Sequence, residues 1–228
     1  YYKKNNLTTI SVFTIGKVIK RNHFFLQKQG KIYHNPSSGW SKPSKQIKRL
    51  RVRYSPNPTE FAHLQMDTVL KVVEGMKLYL YSAIDIKLKF GFSLLYLKLT
   101  SFNTLDFFKK LEIVYPGAIR SVQTDNGLEF QGAFHQYLLK RKNPHYFIYP
   151  RRPRINGVIE RCQRTIQEEF LEPNLDLIYH PELFNDKLGE YLLFYNTKKA
   201  HESLGFKSPL DYLIKKGGMS KFVTCPDN

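Results

Sequence analysis

The first 58 residues contain no aspartate or glutamate, against thirteen lysines and arginines. That absence excludes a self-neutralising surface in this stretch. The other 170 residues are nearly balanced, with 23 basic and 19 acidic side chains, so most of the formal charge of +17 sits in the basic arm. Such an arm calls for a polyanion, most simply nucleic acid; the plain alternative is a solvated basic tail. Only two cysteines occur, Cys162 and Cys225. They exclude a disulfide framework and, being far apart, a zinc site built on a close cysteine pair, and they suit a reducing compartment. No apolar run reaches the length of a membrane span, so no membrane partner is expected. No apolar segment follows Tyr1-Tyr2-Lys3-Lys4, so no secretory leader is read. The chain opens on tyrosine rather than methionine and is expected to be a partial or processed piece.

Along the chain, "TIGKVIKR" (14–21) reads as a short basic helix of the size and charge of the second helix of a helix-turn-helix. Lys17, Lys20 and Arg21 are its candidate DNA contacts, with a solvated helix face as the bland alternative. Residues 1–29 are read as a partial DNA-binding region. Residues 30–58, rich in Pro, Ser, Gly and Lys, have the composition of a basic linker.

From residue 59 the pattern changes. "FAHLQMDTVLKVV", "KLYLYSAIDIKLKF" and "FSLLYLKL" are three strands joined by short turns, an antiparallel meander. "SFNTLDFFKKLEIVYP" follows with helical spacing of Leu105, Phe108 and Leu111. Then come a short strand ending in "TDNG", a helix over 129–142, the strand "HYFIYP", and a helix over 155–171 whose apolar stripe is Ile155, Ile159, Cys162, Ile166 and Phe170. The order β-β-β-α-β-α-β-α describes an α/β sheet of mixed strand direction over 59–172. A last amphipathic helix, "PELFNDKLGEYLLFYN", is expected to pack on that block as part of a C-terminal extension, 173–228.

Three carboxylates stand out. Asp67 lies inside the first strand, where aspartate is disfavoured. Asp125 ends the fourth strand, and Glu160 sits on the 155–171 helix beside the apolar stripe. If the first and fourth strands are neighbours, the helix could present Glu160 to both aspartates. Converging carboxylates suit Mg²⁺ or Mn²⁺, and two such ions can clamp an in-line phosphoryl transfer. Each residue has an ordinary reading as well: Asp125 as a turn former in "DNG", Glu160 as a solvated helix residue. Asp85 is expected to be structural, Glu129 to sit at a helix start, and Asn156 to cap a helix or touch DNA. Arg161 and Arg164 are expected to face outward, toward phosphate or water. Cys162 is read as core and His201 as a packing residue.

"QMDT", "TDNGLEF" and "NGVIER" resemble the catalytic motifs of DDE transposases and retroviral-type integrases, with Asp125 and Glu160 thirty-five positions apart. "FYNTKKAHESLGFKSPLDYL" is similar to the C-terminal signature of the bacterial insertion-sequence branch, although Lys199-Ala200 stands where Arg-Pro is common. No cysteine/histidine zinc module precedes the core. The resemblance implies an RNase H-like fold, with Asp67, Asp125 and Glu160 as catalytic ligands of Mg²⁺ or Mn²⁺, as two ions. It implies cleavage at transposon ends and 3′-hydroxyl strand transfer into target DNA, without a nucleotide cofactor. It further implies a homo-oligomer acting at the bacterial nucleoid. Rival readings are a divalent-metal nuclease on the same fold and a non-catalytic DNA-binding remnant.

Overall fold

The computed structural model describes residues 11–21, 24–26, 32–34, 49–54, 56–149 and 153–217. The chain divides into two units, Tyr1–Lys48 and Arg49–Asn228. The first holds helix α1 (Val12–Arg21) and an antiparallel pair, β1 (Phe24–Leu26) and β2 (Ile32–His34). α1 begins two residues earlier than expected: Ser11 Oγ accepts the Thr14 N–H at 3.1 Å, so the serine supplies the cap. Lys17 and Arg21 are exposed on it. The side chain of Lys20 lies outside the described residues, as does any helix before α1.

The second unit is built on six strands: β3 (Leu50–Val52), β4 (His63–Val73), β5 (Met76–Asp85), β6 (Gly91–Tyr96), β7 (Ser121–Thr124) and β8 (His145–Ile148). Their spatial order is β3-β8-β7-β4-β5-β6. β4, β5 and β6 form the expected antiparallel meander, whereas β3, β8, β7 and β4 run parallel. The helices are α2 (Ser101–Val114), α3 (Gly132–Lys140), α4 (Gly157–Ile166), α5 (Pro181–Thr197) and α6 (Pro209–Lys215). This is the mixed, helix-flanked sheet of an RNase H-like fold.

Alternation along β5 shows how the layers form. Tyr81 and Ala83 face a core shared with Phe107 and Phe108 of α2 and Phe134 of α3. Leu78, Leu80 and Ile84 face the opposite core, with Ile159, Cys162 and Ile166 of α4 and Phe184, Leu188 and Leu192 of α5. A period of two in the strand thus sorts residues between two helical layers.

Two elements differ from the sequence reading. The helix expected over 129–142 is broken into a 3₁₀ turn, Leu128–Phe130, and α3. The break falls at Gly132, whose φ of +56° favours glycine and where a Cβ would lie 3.0 Å from Ser101 Oγ. β3 arises inside the stretch that has a linker composition, because Leu50, Arg51 and Val52 add to β8 in parallel.

The C-terminal motif is architectural. Asn196 accepts the Gly91 N–H at 2.9 Å and donates to the Gly91 carbonyl at 2.8 Å. Eleven residues earlier on α5, Asn185 does the same for Leu95, at 2.7 and 3.0 Å. Two side-chain amides therefore satisfy the open edge of β6, which would otherwise offer unpaired backbone groups. Tyr195 is buried with His201 packed edge-on against it at 4.8 Å, and Ser208 caps α6 ahead of Pro209.

Candidate active site

Parallel pairing brings the two aspartates together. The β4–β7 register aligns His63 with Ser121, Leu64 with Val122 and Gln65 with Gln123. Two residues further, the same register sets Asp67, inside β4, beside Asp125, just past the end of β7, on the face covered by α4. Asp125 also forms the turn: its Oδ1 accepts the Gly127 N–H at 2.8 Å. Asn126 donates to the Ile148 carbonyl at 2.7 Å, pinning the turn to β8. One carboxylate oxygen thus shapes the loop, and a carboxylate has further lone pairs for a ligand.

Burial pushes the Asp67 carboxyl up to about 6, and the charges of Asp125 and Glu129 add to the effect. The Thr68 backbone and the Gln163 amide pull the other way. Gln163 is buried on α4, and its Nε2 has no partner at hydrogen-bonding distance, so its influence on Asp67 is that of a nearby dipole.

A repeated pattern anchors α4. Gln65 and Gln123 each precede an aspartate by two residues, "QMD" and "QTD", so each lies on the same face as its aspartate. Gln65 Nε2 donates to the Ile155 carbonyl at 2.8 Å, and its Oε1 accepts the Ile159 N–H at 3.1 Å. Gln123 Nε2 donates to Asn156 Oδ1 at 3.3 Å. The repeat was present in the sequence as two buried polar residues in apolar strands. Replacing Gln65 with methionine keeps the volume but strands the Ile159 N–H in the first turn of α4. Thermal unfolding should show a loss of about 1–3 kcal/mol; an unchanged melting temperature would mean that α4 does not depend on this contact.

Among the other candidates, Arg161 and Arg164 face outward as expected, while Asn156 and Glu160 are placed differently. Asn156 stands at the N-cap position of α4, but its side chain makes no capping bond. It is buried against Gln123, so its amide is not offered at the surface for DNA. Glu160, Arg161 and Arg164 are exposed on α4. The buried stripe of α4 is Ile159, Cys162, Gln163 and Ile166, which leaves Glu160 on the solvent side and gives the neutral Gln163 to Asp67. Three carboxylates repel one another at close range, and among the described residues no three potential ligands converge to hold a metal.

Glu129 lies closer to the aspartates than its expected place at a helix start suggests. A Cβ on Gly127 would fall 2.4 Å from Glu129 Oε2, so the glutamate folds back over the turn only because residue 127 is glycine. Burial, with the charge of Asp125 added, raises the Glu129 carboxyl above its ordinary range. A cavity of about 690 Å³ between α4 and residues 199–203 contains neither aspartate; Asp67 and Asp125 are each half-buried. Asp67 and Asp125 are two hard oxygen donors whose mutual repulsion a cation would relieve, and this donor set fits Mg²⁺ or Mn²⁺.

Comparison with known proteins finds relatives among integrases. Residues 142–209 match the integrase core domain family model, a span that includes Glu160 but neither aspartate. The proposed integrase ORF3 of Spiroplasma virus SpV1-C74 is 29% identical over 196 residues, 76% of this chain, and the chain spans about half (54%) of that relative's length. The HTLV-2 integrase catalytic core domain, solved in complex with magnesium, superposes with a TM-score of 0.51 at 19% identity, covering 66% of this chain and 94% of its own. A chain of the simian T-cell lymphotropic virus intasome gives 0.58 at 17% identity, covering 82% of this chain and 64% of its own. Residues 142–209 thus resemble the integrase core domain family, and the fold of the second unit is similar to that of the retroviral integrase catalytic cores.

Proposed function

We propose that this protein is a DNA transposase or integrase of the DDE type. On this reading it cuts at the ends of a mobile element and transfers the resulting 3′-hydroxyl into target DNA. The observation that carries the reading is the register that sets Asp67 beside Asp125 in a chain related to integrase cores. The two aspartates would hold the divalent cation. When bound, Mg²⁺ or Mn²⁺ supplies Lewis-acid activation of the attacking oxygen and neutralises charge on the phosphodiester.

The chain's own residues set the stage for that chemistry. Gln65 and Gln123 hold α4 against the site strands, Gln163 biases Asp67 toward its charged form, and the Asp125–Gly127 turn fixes the second carboxylate. Glu160, on the exposed side of α4, is the proposed third member of the triad. Lys17, Lys20 and Arg21 of α1, with Arg161 and Arg164 of α4, are the proposed DNA contacts. The C-terminal motif supports placement in the insertion-sequence branch, with 1–29 as a DNA-binding region, 30–58 as a linker, 59–172 as the core and 173–228 as its extension. A homo-oligomer pairing two DNA ends, in the bacterial cytoplasm at the nucleoid, belongs to the same reading. No helix among the described residues is long and apolar enough to cross a membrane.

The test is strand transfer of duplex oligonucleotides, copied from the DNA flanking the gene, into a supercoiled plasmid with Mg²⁺ or Mn²⁺. Metal-dependent joined product is expected. Nicks without joining would replace the reading with a nuclease, and DNA binding without any product would replace it with a remnant.

A further inference from the structure

We infer that the edge strand β3 is a track for the DNA sugar–phosphate backbone, formed by Arg49, Arg51 and Arg53. The inference rests on the reading of the chain as a DNA strand-transfer enzyme and assigns that enzyme a contact surface outside its carboxylates.

Alternation puts the three arginines on one face of the strand, spaced by two residues, or about 6.5–7 Å. All three are exposed. Each guanidinium lies over an aromatic ring of the neighbouring β8 segment: Arg49 at 5.0 Å from Phe147, and Arg51 and Arg53 at 5.5 and 4.8 Å from Tyr149. Among the described residues none of the three forms an ion pair with a carboxylate. Stacking holds each guanidinium plane; Arg53 donates one N–H to the Tyr149 hydroxyl at 3.2 Å and Arg49 one to Gln131, and the remaining edge N–H groups can meet an anion, a use to which arginine is better suited than lysine. Three aligned, unneutralised cations on an exposed sheet edge repel one another, and a row of phosphates is the partner that offsets this charge.

The track ends at the rim of the site: β3, β8 and β7 are parallel, so Arg53 at the end of β3 lies at the same rim of the sheet as Asp125, two strand spacings or about 10 Å across, with the arginines on the α3 face and the aspartate on the α4 face. Arg49 also donates to Gln131 Oε1 at 2.7 Å, and Gln131 Nε2 donates to the Asn126 carbonyl at 3.1 Å. The first arginine of the stripe is therefore one side chain away from the turn that carries Asp125.

The test measures affinity of the full chain for a 30-base-pair duplex by fluorescence anisotropy across a salt series. It compares wild type, Arg51→Gln/Arg53→Gln and Arg51→Lys/Arg53→Lys. Each lost phosphate contact lowers the slope of log K against log salt by about 0.9. The glutamine pair should lose about 1.8 from that slope and bind roughly 10- to 30-fold more weakly at 0.15 M salt. The lysine pair should keep most of the slope, and it carries the test if the glutamine pair melts early: a wild-type slope in a folded glutamine pair, or a lysine pair that loses slope as fully as the glutamine pair, overturns the inference and leaves the arginines as braces for Tyr149. Strand transfer by the wild type, run in parallel, separates this outcome from failure of the functional reading, which would show as no joined product whatever the slope.

Discussion

Asp67→Asn and Asp125→Asn should each lower strand transfer at least about 1,000-fold while leaving the affinity for duplex DNA within about twofold of wild type. The magnitude follows from the contribution asked of the cation. Transition-state stabilisation of several kcal/mol depends on a charged oxygen donor at each position, and about 4 kcal/mol corresponds to three powers of ten in rate. Asparagine preserves volume and can still accept the Gly127 N–H through its carbonyl oxygen, so the turn at 125–127 should survive. Loss of activity without loss of folding then separates the two roles of Asp125. The Asx turn needs only an acceptor, whereas cation binding needs the negative charge. Full activity in either variant, measured as joined product per unit time, would remove that aspartate from the site.

Asp85→Ala should be the most damaging single change to the fold, costing about 4 kcal/mol or more, or roughly 10 °C in melting temperature. The side chain is fully buried. Its Oδ2 accepts the Ala62 N–H at 2.6 Å and the Tyr115 hydroxyl at 2.5 Å, and its Oδ1 accepts the N–H groups of Lys87 and Leu88 at 2.8 and 2.7 Å. One carboxylate thus joins the entry to β4, the end of β5 and the C-terminus of α2. Burial and the neighbouring Asp85 charge push the Tyr115 hydroxyl up, so it remains a donor throughout the working pH range. Removing the acceptor leaves four donors unpaired, three of them buried. Asp85→Asn, which keeps one acceptor oxygen, should fall between alanine and wild type. A variant that melts like the wild type but fails in strand transfer would move Asp85 from the architecture into the chemistry.

Much of this arrangement was legible in the residues. The meander from 61 to 99 was readable because period-two alternation holds on both sides of Glu74-Gly75 and Gly91. α5 was readable because Phe184, Leu188, Leu192 and Tyr195 share a stripe, and these residues are buried. Asp67 was flagged because aspartate inside an apolar strand needs a reason, and Asp125 because it ends a strand. The exposure of Glu160 was not legible. Spacing along a helix gives the turn but not its rotation about the axis, and the packing of Ile159, Cys162, Gln163 and Ile166 turned Gln163 inward instead. β3 was hidden because three residues among prolines, serines and lysines carry no periodicity; only β8 supplies the partner that makes them a strand. Glu129 looked like an ordinary helix-start residue because nothing in the local pattern announces that Gly127 makes room for its side chain.

The central claim is that Asp67 and Asp125 hold a divalent cation, and the most direct measurement is thermal unfolding of the metal-free protein with and without Mg²⁺ or Mn²⁺, from pH 4 to 8, for wild type and Asp67→Asn. Folding raises the Asp67 carboxyl from 3.8 to about 6, so the folded chain holds that proton more tightly than the unfolded one. Without metal, the wild type should therefore lose stability relative to Asp67→Asn as pH rises from about 4 through 6, by about 1–2 kcal/mol once solvent screening is allowed for. Above pH 6 the cation should reverse that loss in the wild type alone, adding about 1.4 kcal/mol at ten times its dissociation constant. Equal cation-induced shifts in both proteins, or none in either, would contradict the claim.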